Sequence, residues 1–335
     1  MKKVCVLGTG SWGTALALSL AKNKFEVFMW TRRKEQADYI NKNRENTEYL
    51  PGAKFPENLN VTDNIDEAIK DSEIIVIAVP SQSVREICSK LKGKLNSNQI
   101  LVNVAKGLEK GSGKRLSEVC KEELPNSKYV MLSGPSHAEE VAKELPTTIV
   151  VSAESIESAQ TVQDAFMSPS LRVYTNPDLI GVELGGALKN IVAFGAGICD
   201  GLGYGDNTKA ALMTRGITEI SRLGIAMGAK VITFTGLSGI GDLIVTCTSM
   251  HSRNRRAGIL IGKGYSLEET LKEIKMVVEG ITATEVAHDV AKKLGIDMPI
   301  TNAIYGVLHE GLEPSEAINR LMTRNKKNEV EHIGL

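Results

Sequence analysis

The chain has 335 residues, of which 42% are hydrophobic, and its 40 basic and 40 acidic side chains give a formal net charge of zero. This length supports two packed domains, and the balanced charge provides no electrostatic footprint for nucleic acid or an anionic membrane. No apolar run approaches the roughly 20 residues that span a bilayer, and the apolar start of the chain stops at a glycine-rich turn instead of continuing as a signal peptide. These features predict a cytoplasmic protein without a nucleic-acid partner and without membrane insertion.

Strand-like and helix-like runs alternate in the first half of the chain. Apolar and β-branched runs predict strands at 3–7, 26–30, 73–79, 100–104, 129–132, 147–151 and 171–175. Helices are predicted between them at 15–21, 81–91 and 112–123. The run at 73–79 is nearly all apolar, which is typical of a strand buried on both faces. The alternation predicts an α/β domain over residues 1–177, built as a doubly wound parallel Rossmann sheet.

The pattern changes after Pro177. Residues 183–199 are apolar and rich in Ala and Gly, which is typical of a tightly packed buried helix. Further helices are predicted at 209–227, 252–261, 266–275, 282–294, 299–309 and 314–322. With no convincing strand here, the sequence predicts an all-helical second domain over residues 178–335.

The five cysteines are widely scattered, and no pair has the spacing of a metal or redox motif: Cys5, Cys88, Cys120, Cys199 and Cys247. We expect them to be small buried side chains in a reducing compartment. No metal site is predicted.

A glycine motif follows the first predicted strand. Residues 8–13 read Gly-Thr-Gly-Ser-Trp-Gly, which matches G-x-G-x-x-G between a strand and a helix. In such a turn Gly8 permits the tight bend, Gly10 lets the backbone approach a pyrophosphate, and Gly13 lets helix and strand pack closely. The helix N-terminus then provides N–H groups for the anion. A dinucleotide site is predicted, the alternative being a glycine-rich turn without a ligand.

The end of the second strand bears on which dinucleotide binds. An NAD-specific site usually places an acidic residue there for the ribose 2′-hydroxyl, whereas this strand ends in Trp30-Thr31-Arg32-Arg33. Two guanidinium groups suit a 2′-phosphate, and no carboxylate stands in this stretch to repel it. We expect a site that accepts NADPH well; the alternative is that Arg32 and Arg33 are solvated surface residues. The family resemblance described below adds NAD(H) as a second cofactor.

Two lysines are candidates for moving a proton. Lys189 lies in an otherwise apolar helix, where it either extends to solvent or is partly buried, and burial would lower its pKa for acid–base work. Lys106 follows a predicted strand, at the edge where open α/β sheets bind ligands. Gly134 and Ser136 follow the next strand and are expected on the same edge.

A polar turn opens a helix in the second domain. Ser252-Arg253-Asn254 has the residue types of a phosphate cradle at a helix start, although a capped and solvated basic turn fits equally well. Asp242 ends a glycine-rich loop shortly before it. We expect Asp242 to bind substrate hydroxyls or to orient a lysine.

Five stretches together resemble one family, the bacterial NAD(P)-dependent glycerol-3-phosphate dehydrogenases. They are GTGSWGTALA, LSGPSHAEEV, ELGGALKNIVAFGAGICDGLGYGDNTKAAL, GLSGIGDLIVTCTSMHSRNRR and VEGITAT. The similarity runs from Lys2 to about Met322, and the long stretch from Glu183 to Leu212 is far more specific than a glycine motif.

The resemblance implies hydride transfer between NAD(P)H and dihydroxyacetone phosphate, giving sn-glycerol 3-phosphate for phospholipid backbones. It also implies a homodimer. Lys189 matches the family's general acid/base, and Lys106 matches a second lysine that touches substrate and cofactor. The remaining implied substrate contacts are Gly134, Ser136, Asp242, Ser252, Arg253 and Asn254. The remaining implied cofactor contacts are Ser11, Trp12, Arg32, Arg33, Ala138, Arg253, Val277 and Glu279.

Two other functions are compatible with parts of this pattern. A related β-hydroxyacid dehydrogenase would share the Rossmann-plus-helical layout, and a non-catalytic sensor would bind NADP without turnover. The turn at 252–254 and the stretch at 183–212 count against the first. The two lysines and the implied substrate residues at 242 and 252–254 count against the sensor, because a sensor needs neither.

Overall fold

A computed structural model describes residues 1–329 of the chain. The described chain divides into two compact units. The first comprises Met1–Ala105 and Leu116–Leu179, and the second comprises Lys106–Arg115 and the residues from Ile180 onward.

The first unit is built on a single sheet. Its eight described strands are β1 (Lys3–Leu7), β2 (Glu26–Trp30), β3 (Leu59–Thr62), β4 (Ser72–Ile77), β5 (Ile100–Asn103), β6 (Lys128–Ser133), β7 (Thr147–Ala153) and β8 (Leu171–Asn176). Their order is β3-β2-β1-β4-β5-β6-β7-β8. The strand order runs one way from β1 to β3 and the other way from β4 onward, so it reverses between β1 and β4. Open α/β sheets bind ligands at such a point.

Both faces of this sheet are covered by helices. Alternate strand residues accordingly enter two separate apolar clusters, one on each face. Val4 and Val6 belong to one cluster and Cys5 and Leu7 to the other. The helices of this unit are α1 (Ser11–Lys22), α2 (Lys34–Asn43), α3 (Ile65–Ile69), α4 (Val84–Leu91), α5 (Leu116–Glu123), α6 (Ala138–Ala142) and α7 (Ile156–Phe166). The doubly wound Rossmann fold is therefore confirmed.

The sheet departs from the expected parallel arrangement at one pair of strands. β7 runs antiparallel to β6, while every other described pair is parallel. The connection between them carries only the five-residue helix α6, which spans about 8 Å and is too short to carry the chain back along a strand.

One segment lies outside the domain to which the sequence assigned it. Lys106–Arg115 packs with the second unit, where Leu108 joins the apolar core. The predicted start of a helix at residue 112 is wrong, since the helix begins at Leu116. Gly113 has φ +72°, a left-handed conformation that a continuing helix cannot contain, and Leu108 and Arg115 form a β-bridge across the turn.

The second unit is helical throughout its described part. Its helices are α8 (Leu179–Gly201), α9 (Asp206–Ala226), α10 (Asp242–Thr248), α11 (Arg253–Gly262), α12 (Leu267–Ile274), α13 (Glu279–Leu294), α14 (Pro299–His309) and α15 (Pro314–Met322). A 3₁₀ turn at Val231–Thr235 and a π-helical turn at Leu237–Gly241 precede α10. The expected all-helical character is confirmed for the described residues.

The longest helix, α8, contradicts the expectation that no apolar run is long enough to span a bilayer. With 23 residues and a mean hydropathy of 1.4 over its best window, it is long and apolar enough to cross a membrane, contrary to the expectation that no run approaches that length. Its residues from Gly181 to Cys199 are all buried. A helix that is apolar all round and buried in this way is a core helix.

Helices α8 and α11 cross at backbone contact. A Cβ at Gly197 would collide with the carbonyl oxygen of Arg255, and one at Gly258 would collide with that of Phe194. Small residues spaced four apart on both helices allow this approach. The close crossing fixes the start of α11, which carries the polar turn at 252–254, against the middle of α8.

All five cysteines are buried thiols, as expected. Cys88 on α4 and Cys120 on α5 lie close in space, with 3.3 Å between their sulfur atoms. Nothing in their sequence spacing indicated this.

Candidate active site

The glycine turn after β1 has the geometry that its spacing predicts. Gly8 has φ +122°, and a Cβ there would collide with the carbonyl oxygen of Ala78. A Cβ at Gly13 would lie 2.5 Å from the carbonyl oxygen of Gly8. At Gly10, by contrast, an added Cβ meets nothing within 4 Å in the described chain. Gly8 and Gly13 are thus required by packing, while Gly10 faces open space.

The helix that follows presents its N-terminus to that space. Gly10 is the N-cap of α1, and no side chain of the described residues caps the helix there. Ser11 donates its hydroxyl to the backbone oxygen of Tyr49 at 2.7 Å. The indole nitrogen of Trp12 is buried and has no hydrogen-bond partner in the described part of the chain. An uncapped helix N-terminus beside an open backbone face is a suitable place for a phosphate group.

At the end of β2 the structure brings a carboxylate to the arginines from outside the stretch 30–33. Nη2 of Arg33 donates to Oε2 of Glu48 at 2.7 Å. Glu48 also accepts from Nε2 of Gln36 at 3.4 Å. The hydrogen bond with Glu48 raises the pKa of Arg33 above its ordinary value. Arg32 is exposed beside this pair.

In the second unit a buried carboxylate joins the two candidate lysines. Nζ of Lys189 donates to Oδ1 of Asp242 at 2.6 Å, and Nζ of Lys106 donates to Oδ2 of the same carboxylate at 2.7 Å. Lys189 and Asp242 have side chains that are 8% and 1% exposed. Lys189 also donates to the hydroxyl of Thr246 at 2.6 Å, which in turn donates to the backbone oxygen of Asp242. Lys189 is therefore buried rather than extended to solvent, and Asp242 orients it.

The charges of this group explain its proton affinities. Burial lowers the pKa of Lys189 to about 8, although the charge of Asp242 acts in the opposite direction. The carboxylate of Asp242 is shared with Lys106, so it does not fully compensate the desolvation of Lys189. Burial acts to raise the pKa of Asp242, but Lys106 and Lys189 outweigh it, so that pKa lies below its ordinary value. A lysine with a pKa near 8 is suited to exchanging protons in neutral solution.

The polar turn that opens α11 is tied to the same part of α8. Nδ2 of Asn254 donates to Oδ1 of Asn190 at 2.8 Å, and Oδ1 of Asn254 accepts from the backbone N–H of Gly280 at 2.8 Å. Ser252 caps α11 by accepting from the N–H of Arg255. The capped turn is thus present, and one amide N–H of Asn254 is used within the described residues. An amide has a second N–H that a ligand can take.

An ion pair anchors this turn from behind. Nη2 of Arg255 lies 2.7 Å from Oδ2 of Asp200, and Nη1 donates to the backbone oxygen of Thr248. The remaining implied cofactor residues of this unit lie at the start of α13. Glu279 is its first residue, and Val277 precedes it with 47% of its surface exposed.

The remaining predicted residues lie in the first unit. Gly134 follows β6 with φ +117°, and the hydroxyl of Ser136 donates to its backbone oxygen at 2.9 Å. Ala138 begins α6.

Three polar residues of these sites escaped the sequence analysis. Thr246 lies four positions after Asp242, so a predicted helix over 242–248 would have placed the two on one face. Asn190 directly follows Lys189, so its place in the same apolar helix was the available signal. Glu48 had no local signal, because its position depends on a loop that folds back toward β2.

A Rossmann unit with an open glycine turn, followed by a helical unit with a buried lysine–aspartate pair, defines a nicotinamide-dependent oxidoreductase. Comparisons with known proteins narrow this class. Residues 3–159 match the family model for the NAD-dependent glycerol-3-phosphate dehydrogenase N-terminus, and residues 178–319 match that for its C-terminus. The chain belongs to this family of dehydrogenases.

Individual relatives agree. The glycerol-3-phosphate dehydrogenase (NAD(P)+) of Pelotomaculum thermopropionicum is 56% identical over 99% of this chain and 96% of its own length. That of Clostridium perfringens strain SM101 is 54% identical over 98% of this chain and 99% of its own. The crystal structure of glycerol-3-phosphate dehydrogenase from Coxiella burnetii superposes with a TM-score of 0.93 at 39% identity, covering 96% of this chain and 99% of that one.

Proposed function

We propose that this enzyme catalyses reversible hydride transfer from NAD(P)H to dihydroxyacetone phosphate, giving sn-glycerol 3-phosphate for phospholipid synthesis. The observation that carries the proposal is the buried Lys189, held by Asp242 and Thr246 with a pKa of about 8. In a chain of this family, that group is the proton donor that ketone reduction needs.

The residues around the glycine turn fit a dinucleotide. The open face of Gly10 and the uncapped N-terminus of α1 suit its pyrophosphate. When bound, the nicotinamide supplies or accepts the hydride. The residues proposed to hold the cofactor are Gly8, Gly10, Ser11, Trp12, Gly13, Arg32, Arg33, Lys106, Ala138, Arg253, Val277 and Glu279.

Lys189 then acts on the substrate oxygen. In reduction its ammonium gives a proton to the carbonyl oxygen, which becomes the C2 hydroxyl of glycerol 3-phosphate, and in oxidation its neutral amine takes that proton back. The positive charge of Lys106 stabilises the developing alkoxide in a low-dielectric setting. Asp242 keeps both ammonium groups in place through its two oxygens.

The substrate phosphate is assigned to the first turn of α11. Arg253 provides a guanidinium charge and Asn254 an amide N–H, and Ser252 fixes this turn by accepting from the N–H of Arg255. Gly134 and Ser136 are proposed to contact the rest of the substrate.

An absorbance assay tests this function against its rivals. We expect dihydroxyacetone phosphate to drive NADPH oxidation, followed at 340 nm, and sugar acids in their oxidised form not to do so. Turnover of the acids alone would favour a β-hydroxyacid dehydrogenase, and binding without any turnover would favour a sensor.

The arginines at the end of β2 give a first prediction. Replacing Arg32 and Arg33 together by Ala should raise the KM for NADPH by about tenfold or more, because a charge-assisted contact to the 2′-phosphate is lost. The KM for NADH should change far less. Steady-state kinetics with both cofactors checks this, and an equal change in the two KM values would refute the assignment.

A pair of glycine variants separates packing from binding. Gly10→Ala should leave the melting temperature unchanged but weaken NADPH binding by about tenfold, because the new methyl group occupies the space assigned to the pyrophosphate. Gly13→Ala should destabilise the protein by about 1–3 kcal/mol, since its Cβ meets backbone. Calorimetry and NADPH fluorescence titration measure both effects. Unaltered binding by Gly10→Ala would contradict the placement of the pyrophosphate.

The resemblance to this family also supports a homodimer and a cytoplasmic location. Light scattering during size-exclusion chromatography tests the first, and an elution mass near 36.2 kDa, that of one chain, would exclude it.

A further inference from the structure

We propose that Glu48 is a specificity-determining residue that lets one site accept both NADH and NADPH. It serves as the acceptor for the ribose 2′-hydroxyl of NADH, and it competes with the 2′-phosphate of NADPH for Arg33. The inference rests on the proposed binding of the adenosine ribose at the end of β2.

Glu48 lies at the end of the second strand in space, although it is far from that strand in the sequence. NAD-binding Rossmann folds place a carboxylate at the end of the second strand to accept from the 2′-hydroxyl. Here two arginines follow that strand, and the carboxylate comes from a residue 15 positions beyond Arg33 in the chain. The 2.7 Å bond between Glu48 and Arg33 places it at the same strand end.

A hydrogen-bond network fixes this carboxylate relative to the glycine turn. Oε1 of Gln36 accepts from the hydroxyls of Thr9 and Thr31 at 3.0 and 2.7 Å, and its Nε2 donates to Glu48. Asn46, two residues before Glu48, donates to the backbone oxygen of Thr9 at 2.7 Å. The segment that carries Glu48 is therefore tied directly to the turn proposed to hold the pyrophosphate.

The pair can respond to either cofactor because it is accessible. The side chains of Arg33 and Glu48 are 46% and 51% exposed, and ion pairs this exposed are weak. A carboxylate has about four lone-pair sites, so Glu48 can accept from a ribose hydroxyl without releasing Arg33. A 2′-phosphate instead draws Arg33 away from Glu48 and meets the repulsion of the carboxylate. Both effects act against NADPH, the cofactor that the two arginines alone would favour.

The test compares Glu48→Gln with Glu35→Gln. Glu35 is exposed on the first turn of α2 and acts on Arg33 through its charge, so the control removes the same charge nearby without removing the hydrogen bond. For each variant, kcat/KM is measured with NADH and with NADPH at saturating dihydroxyacetone phosphate. Calorimetric titration with adenosine 2′,5′-bisphosphate and with 5′-AMP reports binding independently of turnover.

We expect Glu48→Gln to raise the ratio of kcat/KM for NADPH over NADH by about tenfold, with tighter binding of the bisphosphate, while Glu35→Gln changes the ratio by less than about twofold. An unchanged ratio in Glu48→Gln, an equal change in both variants, or a fall in NADPH efficiency would overturn the inference. Failure of the wild-type enzyme to oxidise either cofactor would instead overturn the proposed function, and this inference with it.

Discussion

Replacing Lys189 with methionine should lower kcat for dihydroxyacetone phosphate reduction by about 10²–10⁴-fold, the range that a positioned general acid contributes. Methionine has a similar length and fits an apolar helix, but it has no proton to give. The groups proposed to hold the pyrophosphate and the 2′-phosphate lie in the other unit, so the Kd for NADPH should change little. Rapid-quench kinetics and fluorescence titration measure the two quantities.

The pH dependence provides an independent check on the same residue. Reduction needs protonated Lys189, so its rate should be full well below pH 8 and decline as the pH rises through about 8. Oxidation needs the neutral amine, so its rate should be full well above pH 8 and decline as the pH falls through that value. Lys272→Met, at an exposed lysine of α12, is the matched control and should behave as wild type. Near-normal turnover by Lys189→Met would remove the general-acid assignment.

Replacing Asp242 with asparagine should affect both stability and activity. The change leaves two ammonium groups near each other without their shared counter-ion, and breaking a buried ion pair in this way costs about 3–5 kcal/mol. For a chain of this size the loss corresponds to a melting temperature lower by about 10 °C. Without the carboxylate the pKa of Lys189 should also fall further, so less of it is protonated at neutral pH and reduction slows.

A conservative variant distinguishes charge from shape at this position. Asp242→Glu keeps the negative charge and should restore part of the stability and move the pH profile back toward that of wild type. Glu268→Gln, at an exposed ion pair of α12, removes a carboxylate without consequence and serves as control. The assignment fails if Asp242→Asn retains the wild-type melting temperature and pH profile.

How much the sequence could predict depended on how local each feature is. The glycine turn follows from five or six consecutive residues, and its packing requirements at Gly8 and Gly13 appear in the structure as expected. The burial of Lys189 was left open, although a helix that is apolar on all sides favours it. In the structure Lys189 is buried together with every other residue of α8 from Gly181 to Cys199.

Features that depend on distant contacts were out of reach. The segment Lys106–Arg115 joins the second unit through Leu108, whose partners lie far along the chain. The contact of Glu48 with Arg33 requires a loop to fold back, and the shared carboxylate of Asp242 requires Lys106 and Lys189 to meet from separate segments. Periodicity and spacing describe single helices and strands, so they do not predict contacts between residues far apart in the chain.

The proposed function depends on hydride transfer between the nicotinamide and C2 of the three-carbon phosphate. It is tested most directly by incubating dihydroxyacetone phosphate with the wild-type enzyme and NADPH deuterated at the C4 position of its nicotinamide, using each of the two stereoisomers in turn. We predict that one isomer yields sn-glycerol 3-phosphate with a single deuterium at C2, seen by NMR and mass spectrometry. Product without deuterium at C2 from both isomers, or no product while oxidised sugar acids acquire the label, would contradict the account.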